Sequence, residues 1–124
     1  RGGERERGDE DGANRAVACD LDARSLAASR ANARLNGVTV ETCADYFAFA
    51  DGIDLVAAAD VLYDRENMPF LRKFRERAGE VLVADSRVRD FREPGYERLW
   101  SQDCVAVPDL GEAEWVKHVT VYRG

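Results

Sequence analysis

The sequence predicts an α/β fold: an open, mostly parallel sheet that ends in an antiparallel pair of strands. From residue 15 onwards, short apolar runs alternate with segments of helical periodicity, which is typical of strand–helix–strand units. Two of these runs are almost continuously apolar, as strands buried on both faces of a sheet are. The length of 124 residues leaves room for one domain of this kind.

The composition narrows the class of protein. With 45% apolar and 34% charged residues the chain can bury a core, so we expect a globular protein. Its net charge of −6 repels a polyphosphate, and we therefore expect no nucleic-acid partner. The 3 cysteines lie far apart in the sequence and are accompanied by 1 histidine. We expect small buried cysteines rather than a disulfide framework or a metal site.

The first residues differ from the rest of the chain. Residues 1–14 are almost all charged or glycine, which predicts a flexible tail ahead of a domain over residues 15–124. No apolar stretch approaches the roughly 20 residues that a membrane helix needs, and no signal-peptide pattern opens the sequence. These features predict a cytoplasmic protein without a membrane partner, and they leave the oligomeric state open.

The first part of the domain is predicted to form a strand, a helix and a second strand. Residues 16–19 are an apolar run, and Asp22 can cap a helix over residues 23–36 that Gly37 ends. Residues 38–43 then alternate and are rich in β-branched side chains, which favours a strand. Three apolar residues of the helix recur at every fourth position, as on one face: Ala27, Ala31 and Leu35.

The middle of the domain repeats this order. Residues 53–61 and residues 80–85 are the two near-continuous apolar runs and are predicted to be buried strands. Between them, Asn67 can cap a helix that tolerates Pro69 in its first turn and that Gly79 ends. The sequence thus predicts a second strand–helix–strand unit.

The last part of the chain carries weaker patterns. Residues 95–102 predict a short helix, and residues 104–107 and 115–122 predict two closing strands. A connection of suitable length between these strands would let them pair antiparallel.

Acidic residues follow four of the predicted strands. Because the carboxyl ends of parallel strands share one edge of a sheet, where ligands bind, we expect these acids to converge there. Taken singly, an acid at such a position more often begins a loop or caps a helix, and that alternative stays open. The acids are Asp20 or Asp22, Asp45, Asp60 and Asp85.

Two of these acids suit an adenosine-containing cofactor. Asp20 ends a strand that precedes a helix, a position from which a carboxylate accepts hydrogen bonds from both hydroxyls of a ribose. Asp45 follows the next strand and can accept from the exocyclic amine of adenine. The adjacent Tyr46 and Phe47 offer an apolar wall to a ring.

Several runs of the sequence, in this order and spacing, resemble the class I S-adenosylmethionine-dependent methyltransferases. Within them the chain is most similar to the seven-β-strand protein-lysine methyltransferases, notably the electron-transfer-flavoprotein β-subunit lysine methyltransferases and nicotinamide N-methyltransferase-like bacterial proteins. The resemblance covers about residues 15–124. The runs that carry it are VACDLD from residue 17, NARLNGV from 32, ADYF from 44, DLVAAADVLYDR from 54 and VLVAD from 81.

The resemblance implies a Rossmann-like fold, S-adenosyl-L-methionine as cofactor, no metal, and methyl transfer to a nitrogen of a protein lysine or a small amine. Asp20 with Leu21 would hold the ribose, and Asp45 with the backbone at Tyr46 would hold the adenine. The resemblance implies further positions near the methyl group: Ala58 and Ala59 beside the methionine end of the cofactor, and Asp60 and Tyr63, the ends of a D-x-x-Y motif, as catalytic residues beside the acceptor.

One family feature has no counterpart here. The family opens with a strand and a glycine-rich loop, and the early glycines of this chain lie in a charged segment with no apolar strand before them. We therefore expect the domain to lack its first strand, which in the family lies between the strands that end at Asp20 and Asp60. The alternatives left open are an inactive methyltransferase-like binding module and, less favoured, a nicotinamide-dinucleotide-binding domain.

Overall fold

The computed structural model of the chain describes residues 13–48, 52–62, 64–88, 91–108, 110–111, 113 and 117–124. The chain divides into two compact units, Arg1–Ala50 and Asp51–Gly124. Most of the predicted tail falls outside the described residues, and the two tail residues that are described, Ala13 and Asn14, are exposed. No helix of the described part is long and apolar enough to cross a membrane.

The first unit is a parallel strand–helix–strand unit. Its elements are β1 (Val17–Cys19), α1 (Ala23–Leu35), β2 (Glu41–Cys43) and a 3₁₀ turn at Tyr46–Ala48. The strands pair in parallel, with Val17 opposite Glu41 and Cys19 opposite Cys43. This confirms the predicted order of elements.

Local hydrogen bonds define both ends of α1. Asp22 Oδ1 accepts from the backbone N–H of Arg24 at 2.9 Å, which confirms the predicted N-cap. At the other end Gly37 has a φ of +65°, and Val38 donates its N–H to Ala33 O at 3.0 Å. These bonds form a Schellman motif that uses the N–H of Val38, so β2 begins at residue 41 rather than at residue 38.

The face of α1 that is buried differs from the predicted one. The buried side chains are Leu26 and Ala33, whereas Leu35 is 84% exposed. Ala27 and Ala31 are exposed too, so the predicted apolar row does not face the core of this unit.

Besides a 3₁₀ turn at Arg65–Asn67, the described part of the second unit contains one α-helix and four strands. They are β3 (Ile53–Ala59), α2 (Met68–Arg77), β4 (Ala78–Asp85), β5 (Glu97–Asp103) and β6 (His118–Arg123). The sheet order is β3-β4-β6-β5, in which β3 and β4 are parallel while β6 is antiparallel to both of its neighbours. The α/β class is thereby confirmed. An antiparallel pair near the end of the chain is also present, but its first strand is β5 and not the one predicted at residues 104–107.

Fewer of the strand pairs are parallel than the predicted, mostly parallel sheet requires. Parallel pairing joins β1 to β2 and β3 to β4, and antiparallel pairing joins β6 to β4 and to β5. The strands also form a two-stranded and a four-stranded sheet instead of one. Among the described residues no strand hydrogen-bonds to both β1 and β3, so the two sheets are not joined by backbone hydrogen bonds.

The core of the second unit surrounds β4. The centre of β4 is paired on both sides, by β3 and by β6, and Val81 and Val83 are fully buried. Rings of Phe91 and Tyr122 pack edge to face, 4.4 Å between centroids. The other buried apolar residues of this unit are Leu62, Leu71 and Phe74.

Predicted boundaries around α2 need two corrections. Asn67 occupies the N-cap position and Pro69 lies in the first turn as predicted, but the Asn67 side chain donates to Val61 O at 2.8 Å instead of capping the helix. Gly79 does not end the helix. It lies inside β4, where a Cβ would come within 3.2 Å of Asp54 O on the neighbouring strand, so glycine serves the close approach of β3 and β4.

The predicted helix over residues 95–102 is wrong. Residues Glu97–Asp103 form β5, whose side chains pair across to β6: Arg123 donates to Glu97 at 2.9 Å, and the hydroxyls of Ser101 and Thr120 share a hydrogen bond of 2.9 Å. The strand predicted at residues 104–107 is also wrong, because the partner of β6 ends at Asp103. Of the strand predicted at 115–122, residues 115 and 116 lie outside the described part.

Candidate functional site

The first candidate site lies at one edge of the two-stranded sheet, where the carboxyl ends of β1 and β2 meet. Asp20 directly follows β1, and its backbone N–H donates to Cys43 O at 3.2 Å, which extends the pairing of the two strands. Asp45 follows β2 by two residues. Within this unit the structure thus brings together the predicted ribose-binding and adenine-binding acids.

Asp20 and Asp22, two acids near the end of β1, each accept a hydrogen bond from a nearby backbone N–H. Asp22 is the N-cap of α1, so its carboxylate is used by the helix. Asp20 Oδ1 accepts from the N–H of Asp22 at 2.8 Å, which orients the side chain, and the residue is exposed. Leu21 between them is 93% exposed. Both carboxylates use only Oδ1 in these backbone bonds, and Asp20, which directly follows β1, is the one predicted to bind the ribose.

Asp45 is oriented in the same way. Its Oδ1 accepts from the N–H of Phe47 at 2.9 Å, and it begins the 3₁₀ turn that contains Tyr46. The half-buried rings of Tyr46 and Phe47 meet edge to face, 5.2 Å between centroids and 82° between planes. The edge thus combines exposed carboxylates with a pair of aromatic rings.

The opposite end of these strands is held by an ion pair. Arg15 and Glu41 form a two-pronged interaction, in which Arg15 Nη2 donates to Glu41 Oε1 at 3.0 Å. The hydrogen bonds from Arg15 lower the pKa of the Glu41 carboxyl, and the Glu41 carboxylate raises the pKa of Arg15. Both groups are exposed, so this pair contributes little to stability.

Two cysteines lie beside the acids of this edge. Cys19 is opposite Cys43 in the strand register, and Cys43 Sγ donates to Asp45 O at 2.9 Å. Cys19 is exposed and Cys43 is half-buried, and Cys104 of the other unit is exposed. The expectation of small buried cysteines is therefore wrong, because each sits at a strand end rather than within a core.

The second candidate site lies at the edge of the four-stranded sheet where the carboxyl ends of β3 and β4 meet. Ala58 and Ala59 end β3, opposite Val83 and Ala84 of β4. Asp60 follows with a φ of +50°, a left-handed conformation that is uncommon for residues other than glycine, asparagine and aspartate. Its N–H donates to Ala84 O at 2.9 Å.

The Asp60 side chain is bound by Ser86. Asp60 Oδ1 accepts from the backbone N–H of Ser86 at 3.1 Å and from its hydroxyl at 2.9 Å. These bonds hold the carboxylate at the sheet edge, where it remains exposed. The role of Ser86 was not predicted, since its only sequence signal is its place just after β4.

Asp85 is the most buried acid of the described part, at 2% exposure. Its Oδ1 accepts from the N–H groups of Arg87 and Val88 at 2.8 and 2.7 Å, and its Oδ2 has no partner among the described residues. It turns the chain at the end of β4 and is not open to a ligand, unlike Asp60.

The predicted site residues thus fall into two groups, one in each unit. Tyr63 lies outside the described residues. No cluster of three potential metal ligands occurs in the described part. Two hollows of the second unit, of about 580 and 640 Å³, are lined by Tyr96 among other residues and by none of the predicted site residues.

Comparison with known proteins adds no relative. No protein-family model, curated protein or solved structure matches this chain.

Proposed function

We propose that this domain is an S-adenosylmethionine-dependent N-methyltransferase of Rossmann-like fold, whose acceptor is a protein lysine or a small amine. The observation that carries the proposal is the pair of exposed acids, Asp20 and Asp45, at the carboxyl ends of adjacent parallel strands. This is the place where open α/β sheets bind nucleotides. The sequence resemblance supplies the class of cofactor.

The donor and acceptor chemistry of this edge fits the adenosine part of the cofactor. Each acid keeps one oxygen on a local backbone N–H, and the described residues offer no partner to the other oxygen. An oriented carboxylate with an unused oxygen can accept from ribose hydroxyls at Asp20 and from the adenine amine at Asp45. The Tyr46 and Phe47 rings supply the apolar contact that a purine needs.

On the sequence resemblance we assign Asp60, in the second unit, to the acceptor. The cofactor supplies a methyl group on a positively charged sulfur, so the acceptor nitrogen must be neutral and correctly aimed. A carboxylate held by Ser86 can accept a hydrogen bond from the amine and stabilise the positive charge that grows on it. The left-handed backbone of Asp60 is uncommon for residues other than glycine, asparagine and aspartate, so the position favours a residue of this kind.

A binding module without transfer activity is the second candidate. It is favoured by the two bonds from Ser86 to Asp60 Oδ1, because such bonds also give the acid a purely structural role. This candidate binds the cofactor but leaves an offered amine unmethylated.

Titration calorimetry of the chain with S-adenosylmethionine tests the proposal. We expect Asp20→Asn to weaken binding by about 1.5–3 kcal/mol, because a charged acceptor of ribose bonds is lost. Asp22→Asn is the matched control: it makes the same charge change two residues away but keeps an oxygen for the helix cap, so the affinity stays the same.

Absence of binding, or equal losses in the two variants, contradicts the cofactor assignment. Binding of a nicotinamide dinucleotide in place of S-adenosylmethionine would assign the domain to that other class. If the cofactor binds, transfer of a labelled methyl group to lysine-containing peptides and small amines separates the enzyme from the binding module.

A further inference from the structure

We propose that Cys19 and Cys43 are a redox-sensitive modification site, where hydrogen peroxide converts the two thiols into a disulfide across β1 and β2. The two residues are direct partners in the parallel register and each is the last residue of its strand. Neighbouring strands lie about 4.8 Å apart, which falls within the Cα separations seen in disulfides.

Their placement brings the two sulfurs to the same side of the sheet, because residues directly opposite in adjacent strands project to one face. Parallel strands keep the two Cβ atoms slightly farther apart than a relaxed disulfide prefers. The strand ends can absorb this difference, since the ladder stops there. The residual strain makes the bond easy to reduce, as reversible disulfides are.

The thiols differ in access and in bonding. Cys19 is exposed, whereas Cys43 is half-buried and donates its S–H to Asp45 O at 2.9 Å. Partial burial of the sulfur and the proximity of Cys43 and Asp45 raise the pKa of Cys19, so this thiol is mainly protonated near neutral pH and reacts through a small thiolate fraction. Because Cys19 is the more exposed of the two thiols, we expect peroxide to reach it first, and Cys43 is the partner that closes the disulfide.

The chemistry balances with one peroxide per pair. The Cys19 thiolate attacks a peroxide oxygen, the O–O bond breaks, and the departing hydroxide takes up the thiol's proton as water, leaving a sulfenic acid on Cys19. The Cys43 sulfur then attacks the Cys19 sulfur, the S–O bond breaks, and hydroxide leaves with the Cys43 proton as a second water. Two thiols are oxidised and one peroxide is reduced to two waters.

Oxidation has a consequence for the neighbouring acid. A disulfide sulfur carries no hydrogen, so the bond from Cys43 to Asp45 O is lost and the turn that presents the Asp45 carboxylate is loosened. This consequence rests on the proposed function, and we expect the oxidised chain to bind S-adenosylmethionine roughly 2- to 10-fold more weakly than the reduced chain.

The test uses the full chain with Cys104→Ser, which leaves only the pair. The chain is treated with equimolar hydrogen peroxide, unfolded and labelled with N-ethylmaleimide. By mass spectrometry we expect a monomer that is lighter than the reduced chain by two hydrogens and carries no label. After digestion we expect a peptide in which Cys19 and Cys43 are linked. Dithiothreitol restores two labelled thiols. Cys19→Ser and Cys43→Ser on the same background cannot form this product. The same reaction in guanidinium, where the strands are unpaired, is expected to be about tenfold slower or more.

Two labelled thiols after oxidation, a sulfinic acid without linkage, linkage only between chains, or an equal rate in guanidinium would each overturn the proposal. Cofactor affinity is measured separately on the oxidised and reduced chain. If neither form binds S-adenosylmethionine, the proposed function fails while the disulfide stands; if both bind equally, only the effect on Asp45 is refuted.

Discussion

Asp60 combines features that rarely occur in one residue. It follows a strand whose partner is buried, its φ is +50°, and its exposed carboxylate is held by both donors of Ser86. The backbone conformation explains why the position favours aspartate or asparagine, since most other side chains are strained in the left-handed region. It does not explain the charge, and the charge is what the proposed reaction needs.

Asp60→Asn separates these two roles. Asparagine tolerates the left-handed backbone and keeps an oxygen for Ser86, so we expect the free energy of unfolding to change by less than about 1 kcal/mol. Methyl transfer is expected to slow by roughly 2–4 kcal/mol of transition-state stabilisation, because the carboxylate that favours a growing positive charge is gone. Denaturant unfolding and single-turnover methyl transfer measure the two effects.

Asp64→Asn is the control for this substitution. Asp64 is another exposed acid of the same unit, and its Oδ1 accepts from the N–H of Glu66 at 2.9 Å. The loss of its charge leaves the rate of methyl transfer unchanged. An unchanged rate in Asp60→Asn as well would assign Asp60 a structural role only.

At the scale of the element, α1 shows how local chemistry sets the bounds of a helix. Asp22 begins it through the bond from Arg24 N, and the Schellman motif around Gly37 ends it. These signals act within four or five residues, which is why they could be predicted from the sequence. They also place Asp20, because the residue that follows β1 and the residue that caps α1 are only two positions apart.

Asp22→Ala is expected to destabilise the chain by about 1 kcal/mol, because an N–H in the first turn of α1 loses its acceptor. Asp22→Ser retains a side-chain oxygen in the cap and is expected to lose much less. Chemical denaturation followed by helical circular dichroism compares the two variants. Equal losses would mean that the charge of Asp22, rather than its cap bond, stabilises the helix.

The element β5 illustrates the opposite case. Its residues have no strong strand pattern and were predicted to be helical, yet Glu97–Asp103 pairs along the whole of β6. The stabilising contacts, such as Ser101 with Thr120 and Glu97 with Arg123, join residues that are 19 and 26 positions apart. No local pattern reports such contacts, and they override a weak helical preference.

At the scale of the whole molecule, the buried residues are unequally divided. The first unit buries Leu26 and Ala33, whereas the second unit buries a cluster around Val81 and Val83 that also includes the Phe91 and Tyr122 rings. Since apolar burial is the main stabilising contribution, the second unit has the larger share of the stability.

Amide hydrogen exchange measures the difference in stability between the two units. We expect amides at the centre of β4 to be protected at least about tenfold more than those of β1 and β2, because β4 is paired on both sides and buried. Val83→Ala, which opens a cavity in the second unit, is expected to reduce protection in β4 by far more than in β1. Equal protection in the two units, falling together in the variant, would show that they unfold as one cooperative unit.

The sequence by itself determined the α/β class, the parallel units β1–α1–β2 and β3–α2–β4, and the acids that follow β1, β2 and β3. Periodicity, caps and strand ends are local properties, so their signals lie within a few residues. Only the tertiary structure decided the pairing of β5, the contact of Ser86 with Asp60 and the opposition of Cys19 and Cys43. Each of these depends on residues 15 or more positions apart, whose contact is set by which strands pair and not by the sequence around either residue.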